Sequence, residues 1–86
     1  MEVNELIPLI KKKIEENILI QNITITDKTY LHAKHLSHEV GKFHFELRIK
    51  SDELKKYSKI QSNKKIYKIL DYEIKKYIHS IQILIN

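Results

Sequence analysis

The chain has 86 residues, of which 42% are hydrophobic, and its 16 lysine and arginine residues against 11 acidic ones give a net charge of +5. This length suits one folded domain and is too short for two, and the apolar fraction is typical of a folded chain rather than a disordered one. The absence of cysteine excludes disulfides, thiolate metal sites and thiol nucleophiles, and no apolar run approaches the roughly 18 residues of a membrane span.

The amino-terminal end lacks the layout of a secretory signal, because an acidic residue follows Met1 and no basic stretch precedes an apolar one. We therefore expect a single domain over residues 1–86, located in the cytoplasm and not associated with a membrane.

The first predicted element is an amphipathic helix over residues 5–17. Its apolar residues recur on one face at helical spacing: Leu6, Leu9 or Ile10, and Ile14. Pro8 fits only near the first turn, where its missing N–H costs least.

After this helix the apolar period changes to two. Residues 23–26 read Ile-Thr-Ile-Thr, the alternation of a half-buried strand. A polar stretch over residues 27–41 follows and contains His32, His35 and His38 together with the single glycine, Gly41. A connection of this length in so small a domain is more often functional than idle.

Two further strands and a second helix complete the chain. Residues 43–50 alternate strictly and predict a strand with one apolar and one polar face, and Ser51 then begins a turn or caps a helix. A second, longer helix is marked by four apolar residues at helical spacing: Ile66, Leu70, Ile74 and Tyr77. Residues 79–85 alternate again and predict the third strand.

The element order is therefore α-β-β-α-β. Two strands joined by a connection can pair antiparallel, and a strand that follows a helix can lie parallel to one of them. The sequence predicts an α+β fold in which both helices cover one face of a three-stranded mixed sheet.

The basic charge raises the question of nucleic-acid binding. Specific phosphate and base contacts depend on arginine, and Arg48 is the only arginine here. A solvated lysine-rich surface is the preferred interpretation, with DNA binding through Lys64, Lys65 and Lys68 as the alternative.

The five histidines are the only side chains with obvious metal chemistry. His44 lies on the polar face of its strand, which favours a solvent-facing or cross-strand role over ligation. By alternation His79 shares a face with Ile81 and Ile83, which on its own favours an ordinary half-buried histidine. Phosphate loops, nucleophile elbows and metalloprotease helices are all missing from the sequence, so we do not expect an enzyme.

The order and spacing of several short runs carry a resemblance to a known family over nearly the whole chain. These runs are residues 25–32, His44-Phe45 at the start of the strand that ends before Ser51, Ile66-Tyr67 with Leu70, and Ile78-His79-Ser80. In this pattern the chain resembles the BolA family. The resemblance implies a class II KH-like fold, which agrees with the order deduced from periodicity.

The resemblance also implies a function. BolA-like proteins pair with monothiol glutaredoxins and share a 2Fe-2S cluster, for which the glutaredoxin supplies its cysteine and a glutathione thiolate. The BolA side supplies a histidine at the start of the last strand, here His79, and a ligand from the connection between the first two strands. That ligand is His32 when counted forward from Asp27 and His35 when counted back from His44-Phe45. Alone, the chain would be cluster-free and a monomer or weak homodimer.

One departure from the family falls on the second helix, where residues 62–64 read Ser-Asn-Lys instead of a basic Arg-His-Arg motif. It leaves open which glutaredoxin is the partner. Three functions are carried forward: an adaptor in iron–sulfur cluster assembly, trafficking or redox sensing, a DNA-binding transcriptional regulator, and a metal-free interaction module. RNA binding in the KH manner needs a Gly-x-x-Gly loop, which a chain with one glycine lacks.

Overall fold

The computed structural model describes residues 1–29 and 42–86. The elements in this part of the chain are α1 (Val3–Asn17), β1 (Asn22–Asp27), β2 (Phe43–Lys50), α2 (Asp52–Lys55), α3 (Lys59–Ile69), α4 (Asp71–Lys76) and β3 (Ile78–Ile85). The predicted order of helices and strands is confirmed, with the short helix α2 added after β2 and the predicted second helix divided into α3 and α4.

The sheet is built around β2. This central strand pairs antiparallel with β1 and parallel with β3, so the sheet is mixed and has the order β1-β2-β3. The alternation in β2 directs Phe45, Leu47 and Ile49 into the core, where each is at most 2% exposed. The predicted α+β class is therefore confirmed.

Both main helices pack on the apolar face of this sheet. In α1 the inward positions are Leu6, Ile10 and Ile14, each 0% exposed, so Ile10 rather than Leu9 occupies the core. They join Ile66 of α3 in one hydrophobic cluster with the inward residues of the strands. Burying each such side chain contributes about 1.5–3 kcal/mol. No helix within residues 1–29 and 42–86 is long and apolar enough to cross a membrane.

Helix α1 begins at Val3, two residues earlier than the sequence predicts, which places Pro8 in its second turn. The carbonyl of Glu2 accepts the first intrahelical bonds, from the backbone N–H groups of Glu5 at 3.0 Å and Leu6 at 2.9 Å. Glu2 makes no side-chain cap, so these two backbone bonds alone close the first turn. They extend the helix by about half a turn ahead of the predicted start.

The predicted long second helix is interrupted at Leu70. Its backbone angles, φ −99° and ψ 18°, depart from helical values, and they separate α3 from α4. Leu70 is nevertheless 0% exposed. Helix α3 begins with a reciprocal capping box, in which the Ser58 side chain accepts from the Gln61 N–H and the Gln61 side chain accepts from the Ser58 N–H.

Ser51 is a fully buried polar residue between β2 and α2. Its hydroxyl accepts from the Leu54 N–H at 3.1 Å and donates to the Leu19 carbonyl at 2.8 Å. Its own N–H donates to the Asn86 carbonyl at 3.2 Å. The predicted helix cap is confirmed, and the same residue also ties the connection after α1 to the end of β3.

Candidate metal centre at the start of the last strand

A β-bulge marks the beginning of β3. Phe43 of β2 pairs with Ile78, whereas the next residue, His44, pairs with Ser80, so His79 is an extra residue with no counterpart on β2. Such a bulge re-aims the side chains on either side of it. Ile78 enters the core at 3% exposure, and His79 is exposed.

The prediction that His79 shares a face with Ile81 and Ile83 is therefore wrong. Strict alternation would place residue 79 opposite Phe43 on the apolar face, and the bulge gives that place to Ile78 instead. The sequence holds a signal for this, because the apolar residues Ile78 and Ile81 are three positions apart rather than two.

His44 lies on the sheet face opposite the helices, yet it is only 5% exposed. The prediction of a cross-strand role is confirmed, since its Nδ1 lies 2.6 Å from the Ser80 hydroxyl on β3, and the solvent-facing alternative is wrong. Its backbone is held on the β1 side as well. Its N–H donates to the Thr29 hydroxyl at 3.0 Å, and its carbonyl accepts from the Lys28 N–H at 2.7 Å.

The imidazoles of His44 and His79 are in contact. Their ring centroids are 4.9 Å apart and the ring planes are inclined by 53°. The pairing of His44 with Ser80, one residue beyond the bulge, brings the two rings together. Sequence reasoning missed this pair, because simple alternation assigns the two residues to opposite faces.

The described residues on either side of segment 30–41 are Thr29, which is hydrogen-bonded to His44, and Lys42. Before the segment, the Thr29 N–H donates to the Asp27 carboxylate at 2.9 Å, and the Thr29 hydroxyl donates to the same oxygen. After it, Lys42 leads directly into β2. The predicted ligands His32 and His35 lie outside the described residues.

An open cavity of about 250 Å³ adjoins His44 on the sheet face away from the helices. Glu46, which also lines it, accepts a hydrogen bond from the guanidinium of Arg48 at 2.7 Å. Within residues 1–29 and 42–86, no three His, Cys, Asp or Glu side chains are grouped closely enough to hold a metal ion. The described part of the chain therefore offers two imidazoles, which suit zinc, copper and iron.

The lysines of the alternative DNA site lie on α3. Lys64 and Lys68 are exposed, one helical turn apart. Lys65 is only partly exposed, and its ammonium group lies over the Tyr57 ring, 4.8 Å from the centroid. The structure thus places two of the three lysines on a common open face and engages the third in a cation–π contact.

The fold and the site define a class of small α+β protein with helices on one face of a mixed sheet and histidines at one end of it. The model of the family described as BolA-like protein matches residues 14–86. The chain belongs to the BolA-like family. A search of curated proteins gave no match.

Three solved structures that are similar to this chain are BolA proteins or domains. The BolA domain of SufE1 from Arabidopsis thaliana is 27% identical with a TM-score of 0.79, over 100% of this chain and 93% of that one. BolA1 from Arabidopsis thaliana is 19% identical with a TM-score of 0.76, over 91% and 86% of the two chains. BolA1 from Mus musculus is 17% identical with a TM-score of 0.71, over 90% of this chain and 60% of that one.

Proposed function

We propose that this chain is a non-catalytic cytoplasmic adaptor that pairs with a monothiol glutaredoxin and shares a bridging 2Fe-2S cluster with it. It would act in iron–sulfur cluster assembly, trafficking or redox sensing. The observation that carries the proposal is the placement of His79. A bulge turns this imidazole to solvent at the end of the sheet where the segment 30–41 begins and ends.

Chain length alone would allow either candidate ligand, His32 or His35, to approach His79. His32 follows Thr29 by three positions, and three residues span at most about 10 Å. Thr29 is itself hydrogen-bonded to His44, whose ring touches that of His79. His35 follows Thr29 by six positions, a reach of about 20 Å, and is equally compatible.

The donor set fits the proposed cluster, because neutral imidazole is an established iron–sulfur ligand. When bound, the cluster would supply electron-transfer chemistry at a raised potential, since imidazoles replace thiolates on one iron. The role of His79 is to present a neutral nitrogen donor at an exposed position. Ligands divided between two chains make cluster binding and heterodimer formation one linked event.

Mixing the purified chain with a cluster-loaded monothiol glutaredoxin and glutathione tests the proposal. We expect a change in visible absorption and circular dichroism, together with a heterodimer on size exclusion. His79→Ala should abolish both. Gln82→Ala, an exposed change further along β3, should have no effect. An unchanged spectrum with the wild-type chain refutes the proposal, and a heterodimer that forms equally well without cluster and with His79→Ala favours a metal-free interaction module.

DNA binding through α3 is the alternative function. The exposed ammonium groups of Lys64 and Lys68, with no acidic residue in α3, favour it. Titration of duplex DNA at two salt concentrations separates the possibilities. A regulator should retain sequence-dependent binding at moderate salt, whereas weak binding that vanishes there reflects only nonspecific attraction to phosphates.

A further inference from the structure

We propose that the outer edge of β3 is a docking site for an extended acidic peptide, which adds to the sheet as a further strand beside Ile83 and Ile85. The peptide is recognised through its backbone and through its carboxylates. The site is separate from the candidate metal centre, because the strand extends about 20 Å from His79 to Ile85.

The hydrogen bonds at the end of β3 show which of its backbone groups point outward. This strand pairs with β2 on one side, and no other strand of the described chain pairs with it. The Asn86 N–H donates to the Ile49 carbonyl at 2.8 Å, and the Asn86 carbonyl accepts from the Ser51 N–H at 3.2 Å. Backbone groups alternate in direction along a strand, so those of Ile83 and Ile85 point away from β2. Such an edge is a template for another strand.

Tyr67 of α3 supports this direction. Its hydroxyl donates to the Ile81 carbonyl at 3.3 Å. Because Ile81 alternates in step with Ile83 and Ile85, its carbonyl points outward as theirs do. The hydroxyl occupies the first of these positions, and the next outward positions along the strand are Ile83 and Ile85.

A cavity of about 440 Å³ adjoins these two positions. It lies between the end of β3 and the turn from α2 to α3, where Tyr57 and Ser62 also line it. Its volume is within the range of known ligand sites, which is about 300–1,000 Å³. The side chains of an added strand therefore have space beside the edge.

The charges around this cavity favour an acidic peptide. Its cationic lining residues are Arg48, Lys55 and Lys59, and none of the described residues that line it is acidic. Arg48 already donates to the Glu46 carboxylate at 2.7 Å, so the two lysines provide most of the attraction for a new anion. A second copy of this chain would bring its own lysines to the same edge and repel the first.

Single-stranded nucleic acid is the competing anionic ligand. A phosphodiester backbone offers acceptors only, whereas a peptide backbone offers both the donors and the acceptors that the outward groups of Ile83 and Ile85 require. The turn between α2 and α3 also has no glycine, which the KH manner of binding needs. The edge therefore favours a peptide.

Fluorescence anisotropy with a labelled hexapeptide of alternating glutamate and valine, at physiological salt, tests the charge requirement. Lys55→Glu combined with Lys59→Glu should weaken binding at least tenfold. Lys11→Glu combined with Lys12→Glu is the matched control, because both lysines are exposed on α1 and outside the cavity, and it should change the affinity less than twofold. If the wild-type chain binds no peptide, or if the cavity variant binds as tightly as the control, the site does not exist.

Two N-methylated peptides, one methylated at every valine and the other at every glutamate, test strand addition. Only one set of amides faces β3, so their affinities should differ at least tenfold. Bound peptide should slow amide hydrogen exchange at Ile83 and Ile85, and should change it little at Leu84, whose N–H faces β2. Equal affinities, or no preference for Ile83 and Ile85 in exchange, overturn strand addition.

Two further outcomes identify a different occupant and overturn the proposal. One is displacement of the peptide by oligothymidylate at lower concentration than by unlabelled peptide, which assigns the cavity to nucleic acid. The other is a dimer on size exclusion with Ile83 and Ile85 amides already protected without peptide, which assigns the edge to a second copy. These experiments contain no glutaredoxin and no cluster, so their outcome is independent of the adaptor proposal.

Discussion

Helix α4 precedes β3 and His79 in the chain. An ion pair between Glu73 of α4 and Lys13 of α1 connects the two helices at the edge of the hydrophobic core. The Lys13 ammonium lies 2.9 Å and 3.0 Å from the two carboxylate oxygens of Glu73. The exposures differ, because the side chain of Glu73 is 4% exposed and that of Lys13 is 34% exposed. We therefore predict that removing the two partners has unequal effects on stability.

Lys13→Met leaves a buried carboxylate without its counter-charge. Breaking a fully buried pair in this way costs about 3–5 kcal/mol, and the partial exposure of Lys13 reduces the expected loss to about 2–3 kcal/mol. Glu73→Gln costs less, about 1 kcal/mol, since the freed ammonium can turn to water and the amide still accepts a hydrogen bond. A domain of this size has a free energy of unfolding of about 4–13 kcal/mol, so the first loss is readily measured.

Urea unfolding followed by circular dichroism measures both variants. Lys75→Met is the matched control, because Lys75 pairs with Asp71 at 3.0 Å in the same helix while both side chains are well exposed. It should cost less than about 0.5 kcal/mol. The reasoning is refuted if Lys13→Met costs no more than Lys75→Met, or if Glu73→Gln costs more than Lys13→Met.

Three further predictions concern stability and charge. In the same assay, Ser51→Ala should lower the free energy of unfolding by about 2 kcal/mol, because it leaves the buried hydrogen-bonding partners of Ser51 unsatisfied. Ser58→Ala should lower it by only about 1 kcal/mol, because the helix cap that it removes is exposed. His79→Ala should change the free energy of unfolding by less than about 0.5 kcal/mol, as expected for an exposed residue, and a larger loss would show that the ring supports the fold. If α3 binds DNA, replacing Lys64 and Lys68 by alanine should reduce the slope of log affinity against log salt by about 1.8, and an unchanged slope would exclude these two contacts.

Much of the fold follows from local patterns. The alternation in β2 predicts its buried face correctly, because β2 is the central strand and both of its neighbours keep a regular register through Leu47 and Ile49. The buried face of α1 is likewise predicted by the helical spacing of Leu6, Ile10 and Ile14, while Leu9, the alternative to Ile10, packs partly buried against the same core.

The candidate site was less predictable, because it depends on register between strands distant in sequence. The bulge at His79 is a property of the β2–β3 pairing, and alternation within β3 alone cannot reveal it. The burial of His44 likewise depends on its contacts with Ser80 and His79 across the sheet. The break at Leu70 is also tertiary, since its residue type is a good helix former.

Ser51 bears on how the chain unfolds. Ser51 is hydrogen-bonded both to Leu19, 32 positions earlier, and to Asn86, which follows the carboxyl end of β3. Ser51 also caps the start of α2. These bonds close only when the early helix, the central strand and the last strand are all assembled. If the helix, the central strand or the last strand detaches, the buried Ser51 hydroxyl becomes exposed to water. The hydrogen bonds of Ser51 to the remaining elements are then weakened as well. The described elements are therefore expected to melt in a single cooperative transition, with coincident curves from far-ultraviolet circular dichroism and tyrosine fluorescence.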